Sequence, residues 1–283
     1  MNFNNIEFET KEGVATLTLN RPKSLNSFTV EMHTEIREVM QQVIEDPDIR
    51  CLVITGAGRG FCAGQDLGDR ASSGEGAVPD VGASVEKYYN PFIRSIMNLP
   101  KPVICAVNGV AAGAGASIAL ACDIVLAARS ASFIQVFCKI GLIPDSGGTW
   151  NLPRAVGMAR AKGLAMLGDR LPAETAESWG LIWKCVDDET LQDETQKMAA
   201  HFATQPTAAL GRIKKLLHQS SSNTLSGQLD LEQKAMQDLG QSDDYREGVA
   251  AFLEKRPPDF KMKPSTDMPD FFPFGDDPPY EEE

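Results

Sequence analysis

Two short runs of apolar residues, CLVIT at 51–55 and VICAV at 103–107, each lead into a stretch rich in glycine and other small residues. Runs this short, with many branched side chains, are typical of buried strands. A helix is predicted before each strand: over 32–44, where apolar residues recur every three or four positions, and over 84–98, which Pro91 should kink or split. A hairpin of 6–8 and 14–19 comes first, and further strands are expected at 124–126 and 133–137. Strands that alternate with helices predict an α/β fold.

From residue 158 onward the pattern is almost wholly helical, with helices predicted over 158–167, 173–178, 189–204, 206–219, 225–239 and 244–254. We therefore expect an α/β core over 1–160, a helical region over 161–256 and a tail over 257–283. The tail holds seven of the 17 prolines, and five of its last eight residues are acidic, which favours disorder. Phe271, Phe272 and Phe274 could instead dock onto a groove of the same or a neighbouring subunit.

Composition excludes several classes of protein. A net charge of −12 and a pI near 4.8 leave no excess of cations to bind nucleic acid. The six cysteines form no CxxC pair, so neither a disulfide framework nor a zinc cluster is predicted, and buried thiols in a reducing compartment are expected. No secretory signal and no uncharged run of membrane-spanning length is visible. We expect a cytoplasmic protein that contacts neither membranes nor nucleic acid.

Three segments could carry chemistry: FCAGQDL at 61–67, GVAAGAGA at 109–116 and IPDSGG at 143–148. The first two follow buried strands, and their small residues let a ligand approach the backbone. The second also opens a helix, where unpaired N–H groups and the positive end of the helix dipole face outward. Two backbone N–H groups that converge on one point would form an oxyanion hole.

Other interpretations of these segments fit less well. GAGRG at 56–60 has the wrong spacing for a dinucleotide fingerprint and no predicted helix after it, and no GKS or GKT exists for a P-loop. DSGG at 145–148 is similar to the nucleophile segment of trypsin-like proteases. That chemistry needs an upstream catalytic histidine, whereas all three histidines here lie in helical patterns.

In their order and spacing, CAGQDL, VNGVAAGAGASIALACD and GLIPDSGGTWNLPR resemble the enoyl-CoA hydratase/isomerase (crotonase) superfamily over about residues 5–256. The segments LNRPKSLNSF, GAGRGFCAGQDL, WGLIW and VDDETL are similar to one branch of it. That branch isomerises the ring 1,2-epoxide of phenylacetyl-CoA in phenylacetate breakdown and also shifts double bonds in enoyl-CoA thioesters. The resemblance implies a crotonase-type spiral of ββα turns, followed by helices that assemble trimers or dimers of trimers.

The resemblance also implies the reacting groups. It assigns the oxyanion hole to the N–H groups of Ala63 and Ala114. The two glutamates that hydratases use to add water correspond to Ser117 and Phe137, which cannot act as bases, whereas Asp145 lies where isomerases of this branch have their single acid/base. In an apolar acyl pocket its pKa is expected above the ordinary value of about 3.9. An aspartate in Pro-Asp-Ser-Gly is also a common turn residue, so the motif alone leaves both interpretations open.

The expected substrate is an acyl-CoA thioester, and no metal or separate cofactor is implied, since coenzyme A is part of the substrate. The residues expected to contact it are Lys23, Leu25, Gly64, Gln65, Asp66, Leu67 and Gly113. Hydration or thioester hydrolysis on the same fold is an alternative. A non-catalytic scaffold that uses its acidic tail to recruit enzymes of phenylacetate or fatty-acid degradation is another.

Overall fold

The structure, a computed structural model, describes residues 3–68 and 80–263. The predicted tail from residue 264 onward and positions 69–79 of the long loop lie outside these residues. The strands are β1 (Ile6–Lys11), β2 (Val14–Leu19), β3 (Cys51–Gly56), β4 (Gly60–Cys62), β5 (Val103–Val107), β6 (Val110–Ala112), β7 (Ile124–Ala128), β8 (Ser132–Ile134), β9 (Arg170–Pro172) and β10 (Lys184–Val186).

The helices are α1 (Val30–Glu45), α2 (Val81–Ser84), α3 (Asn90–Asn98), α4 (Ala114–Ala121), α5 (Gly148–Leu167), α6 (Ala173–Ser178), α7 (Leu191–Ala203), α8 (Thr207–Ser220), α9 (Leu225–Gly240) and α10 (Asp243–Glu254). A π-helical turn, Val85–Tyr89, joins α2 to α3 without a break in the helical chain. Pro91 therefore has helical residues before it, and its missing N–H leaves the Lys87 carbonyl oxygen to accept from Arg37 Nη2 at 3.2 Å. Within the described residues, no helix is long and apolar enough to cross a membrane.

Two sheets form the core. The larger has the order β1-β2-β3-β5-β7-β10 and is parallel except for the β1–β2 hairpin; the smaller has the order β4-β6-β8-β9, with only β9 antiparallel. Three times in succession a strand of the larger sheet is followed by one of the smaller sheet and then by helical chain. This repeat confirms the spiral of ββα turns. It also brings the turns after β4 and β6 side by side, because β4 and β6 are paired.

Three expectations need correction. The predicted strand 133–137 ends at Ile134, and Val136–Ile140 is a 3-10 turn. The region called helical contributes β9 and β10 to the two sheets, while the expected division at residue 160 lies close to Gly157, where φ 77° and ψ 161° interrupt α5. Residues 257–263, assigned to the tail, are held in place, since Asp244 Oδ1 accepts hydrogen bonds from the N–H groups of Lys261 and Met262.

Candidate active site

The structure brings the loop after β4 against the start of α4. Gly64 has φ +90°, a conformation that side chains with a Cβ rarely adopt. A Cβ at Gly64 would lie 3.0 Å from the Ala112 carbonyl oxygen and 3.3 Å from the Ala114 nitrogen. The segments 61–67 and 109–116, which were singled out separately in the sequence, therefore form one site.

Ala114 begins α4, so its N–H has no acceptor within the helix. Gly113 precedes it with φ 54° and donates its own N–H to the Ile134 carbonyl oxygen at 2.9 Å. The first-turn amides of α4 carry the positive end of the helix dipole. Such a position favours an oxygen atom that gains negative charge.

The second predicted donor, Ala63, requires correction. Its N–H donates to the Leu25 carbonyl oxygen at 2.9 Å, so this amide is engaged within the protein. The Gln65 N–H has a different environment. Gln65 pairs with Phe28 in an isolated parallel bridge, in which the Phe28 N–H donates to the Gly64 carbonyl oxygen and the Asp66 N–H donates to the Phe28 carbonyl oxygen. A trans peptide points its C=O and N–H in opposite directions, so the Gln65 N–H points away from Phe28. Among the described residues no acceptor is found for it.

Asp145 lies in a turn that packs onto the same helix. Its carbonyl oxygen accepts the Gly148 N–H at 2.8 Å, and its Oδ1 accepts the Ser146 hydroxyl at 3.0 Å. A Cβ at Gly148 would lie 2.7 Å from Ser117 Oγ, one helical turn after Ala114. Helix α4 therefore connects the Ala114 amide to the turn that carries Asp145, whose side chain is half-buried.

The two positions that hydratases fill with glutamate lie next to this turn and to α4. Ser117 is fully buried, and Phe137 is buried with its ring close to Gly113. Gln135 is buried as well, and within the described residues neither its carboxamide nor the Ser117 hydroxyl has a hydrogen-bond partner. Neither Ser117 nor Phe137 supplies a carboxylate.

The other carboxylates of the three motifs are bound to cations. Asp66 Oδ2 lies 3.0 Å from Arg21 Nη1 and accepts the Ser27 hydroxyl at 3.3 Å, so Asp66 fixes the loop after β4 onto the chain before α1. Asp123 pairs with Lys214. Burial raises the pKa of the Cys62 thiol to about 12, which keeps it protonated and unsuited to nucleophilic attack at neutral pH.

Three predicted contact residues are partly or largely exposed to solvent. Leu25 has φ 49° and packs on Gly60, Lys23 is exposed in the 3-10 turn Pro22–Ser24, and the Leu67 side chain is exposed. Nothing in their contacts assigns them to a ligand. Their role remains a prediction.

No motif of the sequence indicated a structural role for Asn26. Its side chain is fully buried and donates to the carbonyl oxygens of Ala57, Gly60 and Phe61, while its Oδ1 accepts the Arg21 N–H. One side chain thereby holds the connection between β3 and β4. The available signal was an asparagine within LNSF, which by itself favours only a turn.

Comparison with known proteins agrees with this arrangement. The profile of the family "Enoyl-CoA hydratase/isomerase" matches residues 9–263. The chain is 60% identical to the 1,2-epoxyphenylacetyl-CoA isomerase of Escherichia coli K12 over 89% of this chain and 97% of that protein. It is 34% identical to the crotonyl-CoA hydratase of Syntrophomonas wolfei over 93% of this chain and 100% of that protein. A crystal structure of an enoyl-CoA hydratase from Bacillus anthracis superposes with a TM-score of 0.86 at 33% identity and covers 91% of this chain and 99% of its own. The chain therefore belongs to the enoyl-CoA hydratase/isomerase family and has its fold.

Proposed function

We propose that this enzyme isomerises acyl-CoA thioesters by moving one proton across an enolate. The amides of Gln65 and Ala114 receive the thioester oxygen, and Asp145 is the acid/base. The observation that carries the proposal is the set of groups around α4: the outward-facing amides of Gln65 and Ala114, and the Asp145 carboxylate on the turn that packs against this helix. Ser117 and Phe137, to which the family resemblance assigns the positions of the hydratase glutamates, supply no carboxylate.

The chemistry follows from these groups. Asp145 removes a proton from the carbon next to the thioester carbonyl, and the electron pair moves onto the carbonyl oxygen. The two amides stabilise this charge, and losing one such donor typically costs about 10²–10³ in rate. Asp145 then returns the proton to a different carbon, so atoms balance without water or a redox partner. One carboxylate is sufficient for this shift, whereas water addition needs a second group to activate water.

For the substrate, we propose the ring 1,2-epoxide of phenylacetyl-CoA, with a Δ3–Δ2 double-bond shift in enoyl-CoA as second activity. In the epoxide, the carbon–carbon bond shared by the two rings breaks, its electrons join the ring double bonds, both C–O bonds remain, and Asp145 moves the α proton to a ring carbon to give the oxepin isomer. The support is the 60% identity with the E. coli isomerase, which extends over nearly all of both chains. Coenzyme A enters only as part of the substrate.

Replacement of Asp145 tests the proposal. Asp145→Asn keeps the shape of the side chain, and we expect it to lower isomerisation by at least about 10³-fold while acyl-CoA binding, measured by calorimetry, persists. Asp193→Asn, an exposed aspartate of α7, is the matched control and should retain full activity. Unchanged activity of Asp145→Asn would reject the mechanism.

Isotope labelling separates this proposal from hydration or hydrolysis. In D₂O the isomerisation should introduce deuterium at the α or γ carbon to the extent that the proton held by Asp145 exchanges with solvent before it is returned. In H₂¹⁸O it should introduce no oxygen. Incorporation of labelled oxygen would favour the hydratase or hydrolase alternative on the same fold.

We also propose that the protein is a cytoplasmic homotrimer or dimer of trimers. In support, α9 and α10 expose several large apolar side chains: Leu225, Leu229, Met236, Phe252 and Leu253. Exposed apolar surface of this extent is typical of an interface. Sedimentation velocity at several concentrations tests the assembly, and a monomer at all of them would reject it.

A further inference from the structure

We propose that Tyr89 is a positioning residue for the oxyanion site, acting through the side chain of Gln65. The inference rests on the proposed function, since it assumes that the Gln65 N–H receives the thioester oxygen. No motif of the sequence pointed to Tyr89. The structure connects it to the site through a hydrogen bond to the Gln65 side chain.

Both the oxygen and the nitrogen of the Gln65 carboxamide form hydrogen bonds. Its Oε1 accepts the Tyr89 hydroxyl at 2.7 Å, and its Nε2 donates to the carbonyl oxygens of Phe28 at 3.1 Å and Asp66 at 3.2 Å. Phe28 is also the bridge partner of Gln65. The side chain therefore connects Tyr89 to the same backbone that orients the Gln65 amide.

Tyr89 itself is rigidly placed. It is 1% exposed and ends the π-helical turn Val85–Tyr89, a type of turn that often occurs at functional sites. Its ring packs edge-on against His33 at 4.5 Å and against Phe28 at 5.7 Å between centroids. The hydroxyl thus has one fixed direction, and the ring would keep its packing without it.

The amide needs this support because of its neighbour. Gly64 lacks a Cβ and has φ +90°, so the peptide between Gly64 and Gln65 is not restrained by a side chain on its glycine side. An oxyanion donor is effective only within a few tenths of an ångström of its productive position. Loss of the Tyr89 hydroxyl would leave the Gln65 carboxamide one partner short and let this peptide tilt.

The test compares two adjacent tyrosines in the full-length enzyme. Tyr89→Phe removes only the hydroxyl, whereas Tyr88→Phe removes the hydroxyl of a residue that stacks on His33 at 5.5 Å. Turnover is measured on the best substrate, and cinnamoyl-CoA serves as a binding probe whose absorption moves to longer wavelength when its carbonyl is polarised. We expect Tyr89→Phe to lower kcat about tenfold, to leave KM and the Kd of the probe within about threefold, and to reduce the spectral shift. Tyr88→Phe should match the wild type in all of these quantities.

A double variant decides whether Tyr89 acts through Gln65. In a Gln65→Met background, which lacks the carboxamide, Tyr89→Phe should cause no further loss of kcat or of spectral shift. The inference would be overturned if Tyr89→Phe lowered kcat as much in the Gln65→Met background as in the wild type. It would also be overturned if Tyr89→Phe alone had the kcat and spectral shift of the wild type. Both results leave the proposed function intact. The proposed function has its own test: it is rejected if the wild type isomerises no acyl-CoA. In that case the spectral shift of the bound probe still shows whether Tyr89 orients the Gln65 amide.

Discussion

Lys214 Nζ lies 2.9 Å from Asp123 Oδ2 and donates a second hydrogen bond to the Ile96 carbonyl oxygen. The same carboxylate oxygen accepts the Val103 N–H at 2.8 Å, so one ion pair connects α8 to the start of β5. Lys214 is buried, and its partner is mostly shielded from water. The pair fixes the C-terminal helices to the strand that leads into α4.

Replacing the cation should be costly. We expect Lys214→Met to lower the free energy of unfolding by about 3 kcal/mol, because the Asp123 carboxylate is left without its cation. Adding Asp123→Asn removes the unpaired charge and should recover part of the loss. Urea unfolding at fixed protein concentration measures both effects, with the exposed Lys197→Met of α7 as control. A Lys214→Met protein as stable as the wild type would contradict this expectation.

A methyl group at Gly64 should block the oxyanion site. It would lie 3.3 Å from the Ala114 nitrogen, where the substrate oxygen is proposed to bind, and alanine is strained at φ +90°. We expect Gly64→Ala to lower kcat/KM about 10²–10³-fold, the loss of one donor. Gly163→Ala in α5, where an added Cβ meets nothing within 4 Å, is the control and should have wild-type kinetics. Circular dichroism confirms that both variants are folded, and substantial activity in Gly64→Ala would rule out this site.

The close packing of Gly148 on Ser117 should determine where Asp145 lies. A methyl group at Gly148 would be 2.7 Å from Ser117 Oγ and 3.0 Å from Pro144 Cβ, so the turn must shift. We expect Gly148→Ala to lower kcat about 10- to 100-fold while acyl-CoA binding is retained, because small displacements of a catalytic group are costly. Ser117→Ala in the same chain removes the contacting oxygen and should restore part of kcat. If the double variant is no better than Gly148→Ala, this contact is not the cause.

The buried amine of Lys101 should make stability depend on pH. Burial lowers its pKa to about 8, and Nζ donates to the carbonyl oxygens of Val43 and Asp46 at the end of α1. The unfolded chain keeps the proton up to the ordinary value of 10.5, so between these two values unfolding takes up a proton and this lysine increasingly favours the folded state as pH rises. Lys101→Met should be destabilised by about 2 kcal/mol at pH 7, since two carbonyls lose a donor.

The difference in unfolding free energy between wild type and Lys101→Met should grow from pH 7 to pH 9.5. Comparing the two proteins at each pH removes the contributions of other titrating groups. A constant difference across this range would show that the amine does not lose its proton in the folded protein.

Elements with a periodic pattern could be predicted from the sequence, and most of the site segments could be located. The strand 103–107 and the helix 173–178 agree with the structure because burial imposes their pattern locally, and the predicted hairpin forms with its first strand extended to Lys11. Strands β4, β6, β9 and β10 have only three residues each and exist through pairing with distant chain, so no local period indicates them.

The choice between Ala63 and Gln65 as donor could not be made from sequence either. Both follow small or flexible positions in CAGQDL, and in an isolated loop either amide is free to face a ligand. Two residues some 40 positions upstream determine the difference. The Leu25 carbonyl oxygen accepts the Ala63 N–H, whereas the Phe28 N–H donates to the Gly64 oxygen and thereby turns the Gln65 N–H outward. Tyr89 and Asn26 were missed for the same reason, because their roles depend on partners that only the folded chain brings close.

Because β9 and β10 close the open edges of β8 and β7, the smaller sheet lacks a strand until Pro172 is available and the larger sheet lacks one until Val186 is available. During synthesis the nascent chain therefore has unpaired strand edges at β7 and β8, which could pair with a neighbouring polypeptide. A gene truncated near codon 160 should yield aggregates instead of a smaller folded enzyme.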